Sequence, residues 1–330
     1  MADSDLSLHL LCVFFPIFLL VFLKLIVRPR PVNIPIKSRH VFITGGSRGI
    51  GLALARQAAA EGARVTVLAR NLEKLEEAKA SIRLSTGIDV GIVSADVRDF
   101  DAVKKAVESA GPIDVLVCNQ GVYASGEIEN LEVKEIKGMI DVNLIGSFNV
   151  VKAVLPGMKN RIDRKPVSIA FMSSQSGQQV GIYGYSAYAA SKFGLRGLAE
   201  ALQQEVIADD IHVSLIFPPD TDTPGLEEEN KRRPPLTSII AASSPVMRLD
   251  EVVKKALNGI KSGSFFVPCS FKGLLLSIET VGTSPQRSYF MAIVEVILTG
   301  ALRIVAMCLQ WSWYDSIKKW HTKRSSKFVA

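Results

Sequence analysis

A chain of 330 residues, 48% of them hydrophobic, holds one substantial core, and a single α/β domain of about 250 residues leaves short extensions at both ends. Four cysteines (Cys12, Cys118, Cys269 and Cys308) lie far apart with no Cys-x-x-Cys and no Cys/His cluster, which signals neither a zinc site nor a disulfide framework and suits a reduced, cytosol-facing protein. A net charge of +7 admits nucleic acid or anionic lipid as partner, but the basic residues gather beside apolar segments and do not interleave with aromatics, which favours membrane and excludes nucleic acid.

Residues 8–27 are almost wholly apolar, broken by His9, Pro16 and Lys24, and are about as long as a membrane-crossing helix must be. Lys24 is near enough to the end to snorkel. No small-residue cleavage site follows; Asp3 and Asp5 precede the run, and Arg28, Arg30, Lys37 and Arg39 come after it. That order predicts a retained anchor over residues 1–30 with a lumenal N-terminus and a cytosolic remainder. The alternative, a cleaved signal peptide, expects its basic charges before the apolar stretch.

Next, β-branched and helical stretches alternate: strand 40–43 and helix 49–60, strand 64–68 and helix 72–84, strand 90–94 and helix 102–110, then strand 115–117. This predicts an α/β fold, a Rossmann-type doubly wound parallel sheet. The first strand runs into Thr44-Gly45-Gly46-Ser47-Arg48-Gly49-Ile50-Gly51 and a helix. Glycines at such a turn let the backbone approach a pyrophosphate, whose charge is stabilised at the helix N-terminus. About twenty residues on, where an acid would hold the ribose hydroxyls of NAD, stand Ala69 and Arg70, with Lys74 one helical turn later. Together with Arg48 they put positive charge where the 2′-phosphate of NADPH would lie. A merely solvated helix start is the plainer alternative.

Further on, a β-rich run over 167–172 ends in Ser173-Ser174, and a hydroxyl at the carboxyl end of a strand points into the ligand crevice of such sheets. The segment Ser186-Ala187-Tyr188-Ala189-Ala190-Ser191-Lys192 opens a helix to about residue 207, so Tyr188 and Lys192 share one face at i and i+4. A neighbouring ammonium favours a phenolate, which predicts a Tyr188 pKa below the ordinary value of about 10.

In the last sixty residues, a short apolar run at 271–281 precedes a longer one at 289–309 that carries Glu295 and Arg303. Trp311, Trp313, Tyr314 and Trp320 with Lys318, Lys319, Lys323, Arg324 and Lys327 then read as an aromatic belt and basic tail at a lipid interface. A membrane-embedded hairpin or an interfacial helix is expected over 271–330; packing on its own domain is the alternative.

The joint order of the glycine turn, Asp96, Asn119-Gln120-Gly121, Asn143, Ser174 and Tyr188-x-x-x-Lys192 resembles the short-chain dehydrogenase/reductase family over about residues 38–270, the catalytic domain. The resemblance implies that Tyr188 gives a proton to a carbonyl oxygen polarised by Ser174. It implies that Lys192 lowers the Tyr188 pKa and holds the nicotinamide ribose, and that Asn143 positions a relay water. Thr44, Gly45, Ser47, Gly49, Ile50, Gly51 and Asn119 would cradle the dinucleotide, Asp96 and Val97 would lie against the adenine, and Thr223 would meet the carboxamide. Two departures stand out: Cys118-Asn119-Gln120-Gly121 where the family has Asn-Asn-Ala-Gly, and Pro218-Pro219 where it has Pro-Gly.

Within that family, the apolar ends, Ser173 to Gln178 and the loop from Phe217 to Gly225 resemble the branch that reduces long-chain keto-lipids with NADPH at the endoplasmic reticulum. A tail of about fifteen carbons at roughly 0.8 kcal/mol per CH2 holds such a substrate in the bilayer by some ~12 kcal/mol, so an anchored enzyme need only reach the keto group. Residues 223–235 are expected to form a mobile flap whose Glu227, Glu228 and Glu229 attract the substrate's ammonium; a merely solvated charged loop is the alternative. The alternatives are a membrane-anchored steroid or retinoid dehydrogenase and, in a different class, a catalytically silent NADPH-binding scaffold. A second copy of the chain is a further candidate partner.

Overall fold

The computed structural model describes residues 2–28, 30–163, 165–178, 181–241 and 245–329, with the side chains of the two terminal helices described from Phe14 and as far as Lys323. Asp3, Asp5, His9 and Cys12, and Arg324 and Lys327 of the basic tail, therefore have side chains outside the described residues.

A 25-residue helix, α1 (Ala2–Ile26), precedes the catalytic unit. Seven strands follow: β1 (His40–Thr44), β2 (Arg64–Ala69), β3 (Gly91–Ser94), β4 (Val115–Cys118), β5 (Val167–Met172), β6 (Ile211–Phe217) and β7 (Phe266–Pro268). They pair in parallel in the order β3-β2-β1-β4-β5-β6-β7. The alternation within β1 shows why both faces must be covered: Val41 and Ile43 enter one apolar cluster, Phe42 the other. Helices α2 (Gly49–Ala60) and α3 (Leu72–Thr86) cover the first face. The second is covered by α4 (Phe100–Ala110) and by a long bent segment. That segment comprises α5 (Val133–Met139), a wide π-type turn (Ile140–Ile145) and α6 (Gly146–Lys159). Helix α7 (Ser186–Val206) completes the second face. The strand order reverses between β1 and β4, which opens a crevice at their carboxyl ends, the usual ligand position in such sheets.

Beyond β6, the expected flap over 223–235 holds one short helix, α8 (Pro224–Asn230), and ends where α9 (Pro235–Ala241) begins. Then α10 (Leu249–Lys261) returns to the first face. The apolar run that was expected to begin a membrane segment is α11 (Phe271–Glu279), and it is docked on the catalytic unit. Gln175 Nε2 donates to Ser270 Oγ at 2.7 Å, and Gln178 Nε2 to the Gly273 carbonyl at 3.2 Å.

The rest of the C-terminus is a single 41-residue helix, α12 (Tyr289–Val329), where a membrane-embedded hairpin was one expectation. One face of it follows the protein. The Tyr289 hydroxyl donates to Leu20 of α1 at 2.8 Å, Thr299 Oγ1 reaches the Ile278 carbonyl at 3.2 Å, and Arg303 lies 3.6 Å from Glu279. The opposite face leaves Phe290, Ile297, Ile304 and Val305 exposed. By length and composition α12 over Tyr289–Lys323 suits a membrane crossing, whereas Val133–Lys159 passes the same test as a core segment; in α1 the stretch with described side chains, Phe14–Ile26, is apolar.

Two glycines of α7 separate packing from propensity. A Cβ at Gly194 would stand 2.7 Å from Leu144 Cδ2 in the wide turn, while one at Gly197 would meet nothing within 4 Å. Gly194→Val should therefore destabilise by about 1–3 kcal/mol through overpacking, and Gly197→Ala should stabilise by roughly 0.5–1 kcal/mol through helix propensity. Urea unfolding of the two variants measures both; equal signs would refute this account of how α7 meets the wide turn.

Candidate active site

The glycine turn follows β1 and faces the loop after β4. Gly45 has φ +62°, and a Cβ there would come 2.7 Å from the Gln120 Cα. At Gly51 a Cβ would fall 2.4 Å from the Gly45 carbonyl oxygen, itself bonded by Asn119 Nδ2 at 3.0 Å. Side chains of Asn71 and Asp99 cap α3 and α4, but α2 has no side-chain cap and no acid in its first turn. Its leading N–H groups and a glycine cradle free of Cβ atoms fit the pyrophosphate of a dinucleotide. Ser47 and Arg48 form the lip of the turn, Ile50 packs against the first core, and Thr223, which caps α8 by accepting from Leu226 N at 3.3 Å, stands over Gly49.

At the far end of this crevice Arg70 is 60% exposed and only loosely paired, 3.9 Å from Asp96. Lys74 bonds Glu77 at 2.9 Å on the helix surface, an exposed pair of small energetic weight. Asp96 is held in its ionised form chiefly by hydrogen bonds from the Arg98 side chain, which keep its pKa below the usual carboxylate range. Val97 is buried, and its carbonyl accepts from Asn149 at 2.9 Å.

Buried polar groups tie the two halves of the site together. Thr44 Oγ1 donates to Gln120 Oε1 and accepts from Asn119 N at 3.1 Å. Gln120 Nε2 donates to Ser147 Oγ at 2.8 Å, and that hydroxyl to the Asn143 carbonyl at 2.8 Å. Asn143 sits in the wide turn, fully buried, and commits both amide hydrogens, to the Val122 carbonyl and to Ser191 Oγ, each at 2.9 Å. Its Oδ1 accepts from Val122 N at 2.8 Å. Asn143 thus clamps the loop after β4 to α7; only a remaining lone pair of the side-chain oxygen is left for a water. Gln120 was read only as a departure from the family pattern, yet it is the bridging member of this chain.

Ser174, Tyr188 and Lys192 do converge. The Ser174 hydroxyl accepts from Ser176 N at 3.2 Å and lies close enough to the Tyr188 phenol to favour its ionised form. Lys192 is buried, donates to the Met172 carbonyl at 2.9 Å, and has its ammonium 5.6 Å from the centre of the Tyr188 ring. The expected lowering of the Tyr188 pKa is overturned. Burial pushes the phenol above its ordinary value, with the charges of Glu229 and Asp220 adding to the rise and only the Ser174 hydroxyl opposing it. The Lys192 ammonium lies over the ring and points at a main-chain carbonyl; burial lowers its own pKa to about 8.

Sequence reasoning missed the aromatic wall. The rings of Tyr123 and Tyr185 lie 6.5 Å and 6.1 Å from that of Tyr188. It also misread the acids of α8. Glu227 and Glu228 face solvent, the latter paired with Lys231 at 2.6 Å. Only Glu229 turns inward, accepting from the Tyr185 hydroxyl and from Arg233 at 2.7 Å, while Arg233 also holds Asp220 at 2.8 Å. Heptad-free short helices leave no periodic signal to tell these three acids apart. The Arg233 clamp, with Arg232 on Glu135 at 3.0 Å, ties α8 and its flank to the body of the protein.

Two 3-dehydrosphinganine reductases of Arabidopsis thaliana are similar to this chain. TSC10A is 62% identical, over 90% of each chain, and TSC10B is 60% identical, over 98% of this chain and 97% of its own. Among solved structures, a short chain dehydrogenase/reductase family protein superposes with a TM-score of 0.61 at 28% identity, covering 72% of this chain and 98% of that one. The short chain dehydrogenase family matches residues 39–234, the span that carries the glycine turn, the Asn143 clamp and the Ser174, Tyr188 and Lys192 cluster. The chain belongs to the short chain dehydrogenase family.

Proposed function

We propose that the protein reduces the keto group of 3-ketosphinganine (3-dehydrosphinganine) to the alcohol of sphinganine with NADPH, in sphingolipid synthesis. The observation that carries this reading is a serine–tyrosine–lysine site framed by apolar helices at both ends, in a chain whose likeness to a plant 3-dehydrosphinganine reductase extends over 98% of its length. Residues 1–30 act as anchor, 38–270 as catalytic domain and 271–330 as membrane-associated segment, with the catalytic domain on the cytosolic side of the endoplasmic reticulum membrane.

Membership of the family makes the cofactor a nicotinamide dinucleotide, and when bound it supplies the hydride. Gly45, Ser47, Gly49, Ile50 and Gly51 would hold its pyrophosphate at the start of α2, with Thr44 and Asn119 bracing the turn. Asp96 and Val97 would meet the adenine, Tyr188 and Lys192 the nicotinamide ribose, and Thr223 the carboxamide. Arg70, exposed and loosely paired, and the exposed Arg48 are the cations available to take a 2′-phosphate, while Lys74 is held by Glu77. This arrangement supports NADPH as the partner.

The chain's own residues then manage the oxygen. Ser174 donates a hydrogen bond to the carbonyl oxygen, and Tyr188 gives its proton to that oxygen as negative charge develops there. A phenol whose pKa is raised by burial and by Glu229 is fully protonated at neutral pH, so the acid is loaded before the reaction; an alkoxide is basic enough to take its proton. The tyrosinate left behind is stabilised by the Lys192 ammonium, which at pH 7 is still mostly protonated with a pKa of about 8. Asn143 serves as the clamp that keeps α7 in place, and any relay water would bond to its spare lone pair.

Oxidation of NADPH by the purified full-length protein with 3-ketosphinganine in detergent micelles tests the reading directly. Tyr188→Phe should lower turnover by at least about 10²-fold, the usual scale of a lost general acid, with NADPH still bound; near-normal turnover would reject the assigned role. The charge on Lys192 predicts the pH profile. Because its pKa is about 8, kcat/KM should fall as pH rises through 8, when the ammonium is lost, and a flat profile from pH 7 to about 9.5 would contradict its role. Arg70→Ala should weaken NADPH by about tenfold or more and leave NADH nearly unaffected, as expected for loss of a charge-assisted phosphate contact. Equal losses for both dinucleotides, measured by fluorescence titration, would count against that contact.

A further inference from the structure

The family match ends at residue 234, but the cleft at Ser174 is finished by residues well beyond it. The cavity lined by Ser174, Tyr185, Pro219 and Ile240 is also lined by Lys272 of α11 and Trp313 of α12. Trp313 was expected to sit in an interfacial aromatic belt with Trp311 and Tyr314. Those two neighbours are 75% and 55% exposed, whereas Trp313 is half-buried and turned into the cleft. Two helical turns later the His321 ring meets Tyr183, 6.4 Å away, so α12 stays against the protein beyond the cavity.

The lining is divided by chemistry. Asp220, Arg233 and Lys272 give it polar groups, while Ile182, Ile240 and Trp313 give it apolar ones. In the turns of α12 before Trp313, Ile304, Val305, Met307 and Leu309 are exposed apolar side chains. A ligand that matches is polar at its reacting end and apolar where it leaves. An indole offers a large, rigid apolar face at low cost in side-chain entropy, and tryptophan is favoured where an apolar surface meets a wet one.

We infer that Trp313 grips the alkyl chain of the substrate where it leaves the cleft along α12, and so sets the preference for a long-chain ketone. This rests on the proposed reaction, in which the substrate is a keto-lipid. The C-terminal helix is then part of the substrate site as well as a contact with lipid.

Trp311, Trp313 and Trp320 are the only tryptophans in the sequence, which permits a direct test. In the double variant Trp311→Phe, Trp320→Phe, Trp313 is the sole indole emitter. A long-chain amino-ketone brominated on the chain close to the keto group should quench its emission saturably in detergent micelles, and unlabelled substrate should reverse the quenching. The counterpart Trp313→Phe, Trp320→Phe, which keeps the outward Trp311, should show no saturable quenching. In the otherwise unchanged protein, Trp313→Ala should raise KM about tenfold for the long-chain ketone and leave it within about twofold for a short, water-soluble amino-ketone, the scale expected of lost apolar pocket contacts. Absence of quenching at Trp313, or the same change in KM for both chain lengths, overturns the inference. Quenching needs no turnover, so a protein that bound the chain at Trp313 but oxidised no NADPH would remove the proposed reaction and keep this site.

Discussion

A single run of buried hydrogen bonds holds the site in register: Thr44 to Gln120, Gln120 to Ser147, Ser147 to the Asn143 carbonyl, and Asn143 onward to Ser191. It begins at the glycine turn after β1 and ends one residue short of Lys192. Each member is buried or nearly so, so a missing partner would leave a polar atom without water, at a cost of about 1–3 kcal/mol. Coupled groups of this kind reinforce one another in a low dielectric. The dinucleotide cradle and the helix bearing Tyr188 therefore do not drift independently. The wide turn at Ile140–Ile145 is what lets one asparagine reach both, and turns of this type recur at functional positions in helices.

The electrostatics of the reacting pair follow from desolvation more than from pairing. A tyrosine and a lysine at i and i+4 suggest an ammonium that drags a phenol toward ionisation. Burial acts on both charged forms at once, raising the tyrosine and lowering the lysine. Glu229, brought in by Arg233 and Tyr185, pushes the phenol the same way as burial does. The pair is consequently a neutral acid beside a weakened cation, which is the protonation state a reduction needs.

Much of this was legible in the sequence, for identifiable reasons. Strands β1 to β5 and helices α2, α3 and α7 carry strong periodic patterns and were placed within a few residues. Ser174, Tyr188 and Lys192 are spaced by regular elements, so their meeting in space follows from the fold. The stretch from residue 122 to 160 gave no such reading, because a wide turn between two helical pieces breaks the 3.6-residue period. Gln120 looked like a departure, since its role depends on Ser147, which is distant in sequence. The inward turn of Glu229, and not of Glu227 or Glu228, depends on Arg233 and Tyr185, and the inward turn of Trp313 depends on the tertiary path of α12. Contacts between distant segments leave no local mark.

The docking of α11 carries a consequence for how far the protein can be cut down. Gln175 follows directly on Ser174 and Gln178 lies one turn further, and their amides find partners at Ser270 and at Gly273 and Ser277. Gln178 is wholly enclosed, and its side-chain oxygen has no hydrogen-bond partner among the described residues. Removal of everything after β7 would strip both glutamines of their acceptors and loosen the very turn that aims the serine hydroxyl. The C-terminal region is in this sense a strut for the oxygen-binding corner, and a water-soluble version would have to retain α11 or rebuild the turn around shorter, apolar side chains.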